Sequence, residues 1–208
     1  MKSFSPSGIF MTENTAAINQ KAVTFTATCA GGLEALLASE IAGFGAGILK
    51  TAPGAVYFQG NLEAAYRTCL WSRLAHRVLK PVAEVNAQDE NELYRQAFDI
   101  DWSSRFNPEK TISVLCKATR ASISNTHFAA LRLKDAVVDR FTADFGRRPD
   151  VDTQNPDITL HLYLEGNRAA ISMDLAGGSL HKRGYRLSGD QAPLKETLAA
   201  AVVHLSLS

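Results

Sequence analysis

The clearest alternation of apolar and polar positions runs from Thr111 to Asp174 and predicts strand, helix, strand, strand. In TISVLCKA, Ile112, Val114, Cys116 and Ala118 fall on one face and Thr111, Ser113 and Lys117 on the other, the two-residue period of a half-buried strand. The period then changes. In NTHFAALRLKDAVVDRF, Ala130, Leu133, Val137 and Phe141 recur at three and four residues, which gathers them on one helical stripe with Arg132, Asp135 and Asp139 opposite. Asn125 or Thr126 is placed to cap the first amides of that helix. Alternation resumes in ITLHLYL, where Ile158, Leu160, Leu162 and Leu164 share a face, and turns at Glu165-Gly166-Asn167 into RAAISMDL. A strand, a long helix and a second strand form a crossover unit, here with a hairpin appended.

Upstream, TFTATC reads as a short strand and LEALLASEIAGFG as a helix that buries Leu33, Leu36, Leu37, Ile41 and Phe44. Gly43, Gly45 and Gly47 end that helix instead of following a strand, so they predict a C-cap and turn and not a dinucleotide fingerprint. GILKT and AVYFQG predict a hairpin around Pro53-Gly54, NLEAAYRTCLWSRLA a second helix starting at Asn61, and RVLKPVAEV a fourth strand. Strand, helix, two strands, helix, strand is the ferredoxin-like order. Trp71 and Trp102, each flanked by helical patterns, are expected in cores or interfaces. From Asp89 to Phe106 a polar and aromatic stretch with a short helix at Glu92 to Phe98 reads as a packed connector. The last helix has scarcely begun where the sequence ends, which predicts a truncated domain.

Composition adds room for two cores: 46% of the 208 residues are hydrophobic. Charge adds polarity. The net charge is +1, yet residues 1 to 104 hold 8 Lys and Arg against 10 Asp and Glu, while 105 to 208 hold 14 against 11, so an anionic partner is expected at the second half. Cys29, Cys69 and Cys116 are odd in number and set among apolar residues, the usage of reduced core thiols in a cytoplasmic protein. No apolar run approaches a membrane span, and Met1 to Gln20 lacks the apolar block of a secretory signal.

The candidate chemistry is basic and polar. Arg120 precedes a helix start rich in Ser, Asn125 and Thr126, where unpaired amides accept phosphate as readily as a cap. Arg132 and Lys134 lie on the long helix and Arg147-Arg148 follow it; local pairing with Asp135, Asp139 or Asp150 is the ordinary alternative for each. In HKRGYR, Tyr185 could stack on an unpaired base while Lys182, Arg183 and Arg186 hold phosphate, or the same residues could anchor an interdomain joint. These cations are expected to fold onto one common surface. The five histidines do not gather at metal-ligand spacing. An acylphosphatase-like enzyme shares the ferredoxin-like order but needs an arginine in the loop after the first strand, and Cys29-Ala30-Gly31-Gly32 has none. A protein-interaction or assembly module is the remaining alternative.

TATCAGGLEALLASE with AVYFQG, LRLKDAVVDRF with RRPDVDTQNPDITLHLYL, and LHKRGYR with APLKETLAAA together resemble the N-terminal region of the bacterial large-subunit (23S) ribosomal RNA guanine-N2 methyltransferases. The middle block is similar to the THUMP domain of those enzymes. Residues 1–20, rich in Ser, Thr and Asn, are expected to form a disordered leader. The resemblance implies an α+β chain beyond it: a ferredoxin-like domain at 21–85, a helical connector at 86–110, a THUMP core with its crossover and hairpin at 111–186, and a linker entering a methyltransferase domain at 187–208. It implies capture of structured or single-stranded ribosomal RNA for a catalytic domain that binds S-adenosylmethionine and lies outside this chain. The family's Asn-Pro-Pro-Tyr-like loop has no counterpart, since Asn107-Pro108-Glu109 and Asn155-Pro156-Asp157 lack the second proline and the aromatic. No cofactor and no methyl transfer are therefore expected of this chain alone.

Overall fold

A computed structural model describes residues 23–182 and 194–206. The elements are β1 (Val23–Thr28), α1 (Glu34–Gly43), β2 (Gly47–Ala52), β3 (Ala55–Gly60), α2 (Leu62–Trp71), β4 (Arg77–Asn86), α3 (Glu90–Phe98), β5 (Ile112–Ala121), α4 (Thr126–Phe145), β6 (Ile158–Gly166), β7 (Arg168–Asp174) and α5 (Glu196–Ser206). Ends are set by local chemistry. Asn61 caps α2 by accepting from Ala64 N, Asp89 caps α3 by accepting from Asn91 N and Glu92 N, and Asn125 caps α4 by accepting from Phe128 N. Gly146 closes α4 at φ +65°, a conformation that costs glycine little.

The strands form one sheet in the order β2-β3-β1-β4-β7-β6-β5. Only the β5–β6 pair is parallel, as the α4 crossover requires; the other pairs are antiparallel. Strand β4 fuses the ferredoxin-like part to the crossover part, because Leu79 is opposite Thr26 of β1 on one side and Asp174 of β7 on the other. The β4–β7 register shifts between Pro81 and Ala83, where proline supplies no ladder donor.

Two cores lie under this sheet. Phe25, Ala27, Val56, Phe58 and Val78 pack against Leu37 and Ile41 of α1 and Ala65 and Cys69 of α2. Leu160, Leu162, Leu164 and Ile171 pack against Leu133, Val137 and Phe141 of α4 and Leu93 and Ala97 of α3. The segment between the two halves belongs to the second core: Trp102 is 1% exposed, donates its indole N–H to Ala97 O at 2.9 Å, and joins Phe106 and Phe141. Both cores occupy the same side of the sheet. Val78 points into the first, and Lys80, two residues on, is opposite Met173, which packs on the second.

Four side chains depart from the sequence reading. Ala129, not Ala130, is fully buried in α4, because α3 packs beside the sheet contact and turns the buried stripe. Ala118 is exposed and Cys116 half-buried, since β5 is the outermost strand. Trp71 is 69% exposed, whereas Trp102 fills a core. The buried residues of α2 are Ala64, Ala65, Thr68 and Cys69, and Trp71 stands about 200° around the helix from Cys69.

Candidate nucleic-acid interface

The sequence-predicted cations divide between the two ends of α4, which are about 30 Å apart for a 20-residue helix. At the first end Arg120 sits at a bulge between Thr119 and Ala121 with φ +48°, a left-handed value uncommon outside glycine, and is exposed. Beside it Asn125 Oδ1 is engaged by Phe128 N at 3.0 Å, and Thr126 opens the helix. At the far end Arg147 pairs with Glu109 at 3.3 Å, while Arg148 has no ion-pair partner among the described residues. Lys182 is exposed in a turn after β7, on the same end of the sheet as Arg148, because β7 runs opposite to β5 and β6. Arg183, Tyr185 and Arg186 lie outside the described residues.

Two members of the set are held by intramolecular contacts. The Arg132 guanidinium lies 4.4 Å over the Tyr94 ring and donates to Asn91 Oδ1 at 3.2 Å, tying α4 to α3. Lys134 is half-buried and pairs with its neighbour Asp135. The described members therefore do not share one surface: Arg120, Asn125 and Thr126 are together at one end, Arg147 and Arg148 together at the other.

Opposite the helical layer, the sheet exposes a polar face that spacing in the sequence does not disclose. Strand alternation and register place Tyr57, Leu79, Asp174, His161, Tyr163 and Lys117 on it. Asp174 has no exposed side-chain surface; it accepts from Arg77 and from Ala176 N, and its Oδ2 lies 3.6 Å from His161 Nε2. That ring nitrogen is buried and makes no hydrogen bond among the described residues. Just before β4, His76 meets the His181 ring edge-on at 5.6 Å and its Nε2 is 3.0 Å from Thr197 Oγ1 of α5. Burial holds the His76 pKa down, as do His181, Lys195, Lys117 and Arg77 around it. Positions 76, 181 and 197 have no pattern in the sequence; only the packed chain brings them together.

The loop after β1 argues against the phosphatase alternative. Its amides would have to receive an anion, but Gly32 N of that loop and Gly54 N of the neighbouring β2–β3 turn already donate to the Glu34 carboxylate at 2.9 and 2.6 Å. Those bonds, Gly54's foremost, hold the Glu34 pKa below the usual carboxylate value. A second negative charge there is disfavoured.

Comparison with known proteins agrees with this architecture. Residues 24–79 match the sequence model of the RlmL ferredoxin-like domain, and residues 87–174 that of the THUMP domain. The protein is thus a THUMP-type module preceded by a ferredoxin-like one. A ribosomal RNA large subunit methyltransferase K/L from Syntrophotalea carbinolica is 47% identical over 181 residues, covering 87% of this chain and 25% of the relative. The protein of the same name from Pseudomonas aeruginosa is 46% identical over 176 residues, covering 85% and 24%. The chain therefore spans about a quarter of the length of these curated relatives. Among solved structures, one described as a predicted N6-adenine-specific DNA methylase from Listeria monocytogenes superposes with TM-score 0.77 at 31% identity over 89% of this chain and 48% of that one. TrmN from Thermus thermophilus, at 21% identity and TM-score 0.65, shares the fold. In both of its modules the chain belongs to the family formed by the N-terminal region of the ribosomal RNA large subunit methyltransferases K/L.

Proposed function

We propose that this chain captures ribosomal RNA for a methyltransferase domain, the parent protein being an S-adenosylmethionine-dependent guanine-N2 methyltransferase of 23S ribosomal RNA. The observation that carries this reading is the match of residues 87–174 to a THUMP domain within relatives named as ribosomal RNA methyltransferases. Arg120 with Asn125 and Thr126 at one end of α4, and Arg147, Arg148 and Lys182 at the other, are the proposed contacts. Arg183, Tyr185 and Arg186 would extend the second group, reading RNA shape and splayed bases. Arg132 and Lys134 would contribute through the charge left after their local contacts. Methyl transfer would fall to a domain other than the two described here, since the chain spans only about a quarter of the relatives named as methyltransferases. The proposed setting is the cytoplasm; no helix among the described residues is long and apolar enough to cross a membrane.

Fluorescence anisotropy of a labelled 23S ribosomal RNA hairpin, titrated with the chain at two salt concentrations, tests the reading. Phosphate contacts release counterions, so log K should fall by about 0.9 per contact per log unit of salt on duplex segments. Weak binding that ignores salt would favour the interaction module, for which the exposed Leu70 and Trp71 at the end of α2 would be the natural surface.

A further inference from the structure

We propose that β5 is a dimer seam, at which a second copy of this chain adds its own β5 antiparallel across a two-fold axis through Cys116 and joins the two sheets into one. The seam is independent of RNA capture. The seven-stranded sheet has two edges, β2 and β5. The β2 edge is six residues long and its register shifts between Ile48 and Lys50, features that discourage pairing. The β5 edge is ten residues long, and its inner side pairs with β6. On the outer side Ile112 N donates to Asp150 O at 2.8 Å and Ile112 O accepts from Asp152 N at 3.1 Å, so this edge already takes an added segment. Strand alternation points the backbone groups of Val114, Cys116 and Ala118 the same way, and no described strand pairs with them. An open ladder of that kind is a template for another strand.

Charge, register and the overhanging helix select a second copy as that strand. With Cys116 on the axis, Val114 is opposite Ala118 and Lys117 is opposite Leu115, so no like charges are directly opposed. The ends are oppositely charged. The same register carries Arg120 of each copy to Ile112 of the other, where Val151 bridges and Asp150 and Asp152 flank it. Arg120 and Asp150 are exposed and have no ion-pair partner among the described residues, so each end of the seam brings together an arginine and a carboxylate that the single chain leaves apart. Above the edge, α4 carries an apolar stripe besides those that meet the sheet and α3. Leu131, Val138 and Phe145 recur about every two turns, and Leu131 and Phe145 are 38% and 49% exposed. The helix runs back along the strand, so Cys116, about 16 Å from the end of β5, comes level with a residue about 11 positions into α4, beside Val138. The axis through Cys116 therefore sets Val138 against its own copy and Leu131 against Phe145, covering the stripe.

Sedimentation velocity of the whole chain, at about 1 to 100 µM so as to bracket a micromolar Kd, tests the seam. RNA is left out, because Arg120 is also a proposed RNA contact. The expected result is a dimer whose share grows with concentration. Ala118→Pro removes an outward N–H that the β5–β6 ladder does not use, and should raise the dimer Kd by about 100-fold while the far-ultraviolet circular dichroism stays unchanged. Arg120→Asp should raise the Kd by about 10-fold, and Arg120→Asp combined with Asp150→Arg should restore it, a rescue that local damage from either change would not give. A chain that stays monomeric over the whole range would overturn the second copy as occupant and leave the edge to an extended peptide of another protein. A dimer indifferent to Ala118→Pro and to the charge changes would overturn β5 as its seam. Neither outcome touches RNA capture, which the anisotropy titration reads separately.

Discussion

Arg77 and Asp174 form an ion pair across the β4–β7 junction, the seam at which the ferredoxin-like strands and the crossover strands become one sheet. The carboxylate is fully buried, the guanidinium about one quarter exposed, and the chain after β7 is fastened by the same carboxylate through Ala176 N at 2.9 Å. The pair orients both the seam and the exit toward α5.

Asp174→Ala should destabilise the chain by about 2 to 3 kcal/mol in urea unfolding, below the full 3 to 5 of a completely buried pair because water still reaches Arg77. Asp174→Asn keeps an acceptor for Ala176 N and should lose less. Equal stability of wild type and Asp174→Ala would show that the seam does not depend on this contact.

The two tryptophans should behave oppositely. Trp102→Ala removes a buried indole and its hydrogen bond and should cost about 3 to 5 kcal/mol. Trp71→Ala should stay within about 0.5 kcal/mol. Acrylamide quenching separates them in the native protein: Trp71 fluorescence should be quenched freely and Trp102 fluorescence protected.

Burial pushes the Cys29 and Cys116 thiols up to about 11, with Glu34 adding to the effect at Cys29. Folded thiols thus keep their protons where unfolded ones, ionising near the ordinary 9, begin to lose them. Between those values the unfolded chain binds fewer protons, so this contribution lowers stability as pH rises and has no effect below pH 8. Alkylation by iodoacetamide should be slow at pH 8 and still accelerating at pH 10. A rate that levels off near pH 9 would contradict the burial.

Arg132 and Arg148 should separate packing from RNA contact. Arg132→Ala breaks the Tyr94 and Asn91 contacts and should cost about 0.5 to 1 kcal/mol of stability. Arg148→Ala should leave stability unchanged and reduce the salt slope of RNA binding by about 0.7 to 0.9. A salt slope unaffected by Arg148→Ala would remove that end of α4 from the proposed contacts.

Much of the fold was legible as periodicity. A two-residue alternation can bury one face only as a strand, and a three-and-four spacing only as a helix, so ITLHLYL and the α4 segment were legible, as was the start of α2 at Asn61, while the structure chose Asn125 over Thr126 as the cap of α4. Excess charge in the second half and the family blocks pointed to an RNA-capturing module without any coordinates. Pairing across distant strands has no local signature. That β4 joins both halves into one sheet, that Arg132 rests on Tyr94, that Arg120 and Arg148 stand at opposite ends of a helix, and that His76 and His181 meet all follow from how far-apart segments pack. Sequence order fixes which side of its own element a residue faces; only the packed chain determines what stands opposite it, because that depends on the burial of every other element at once.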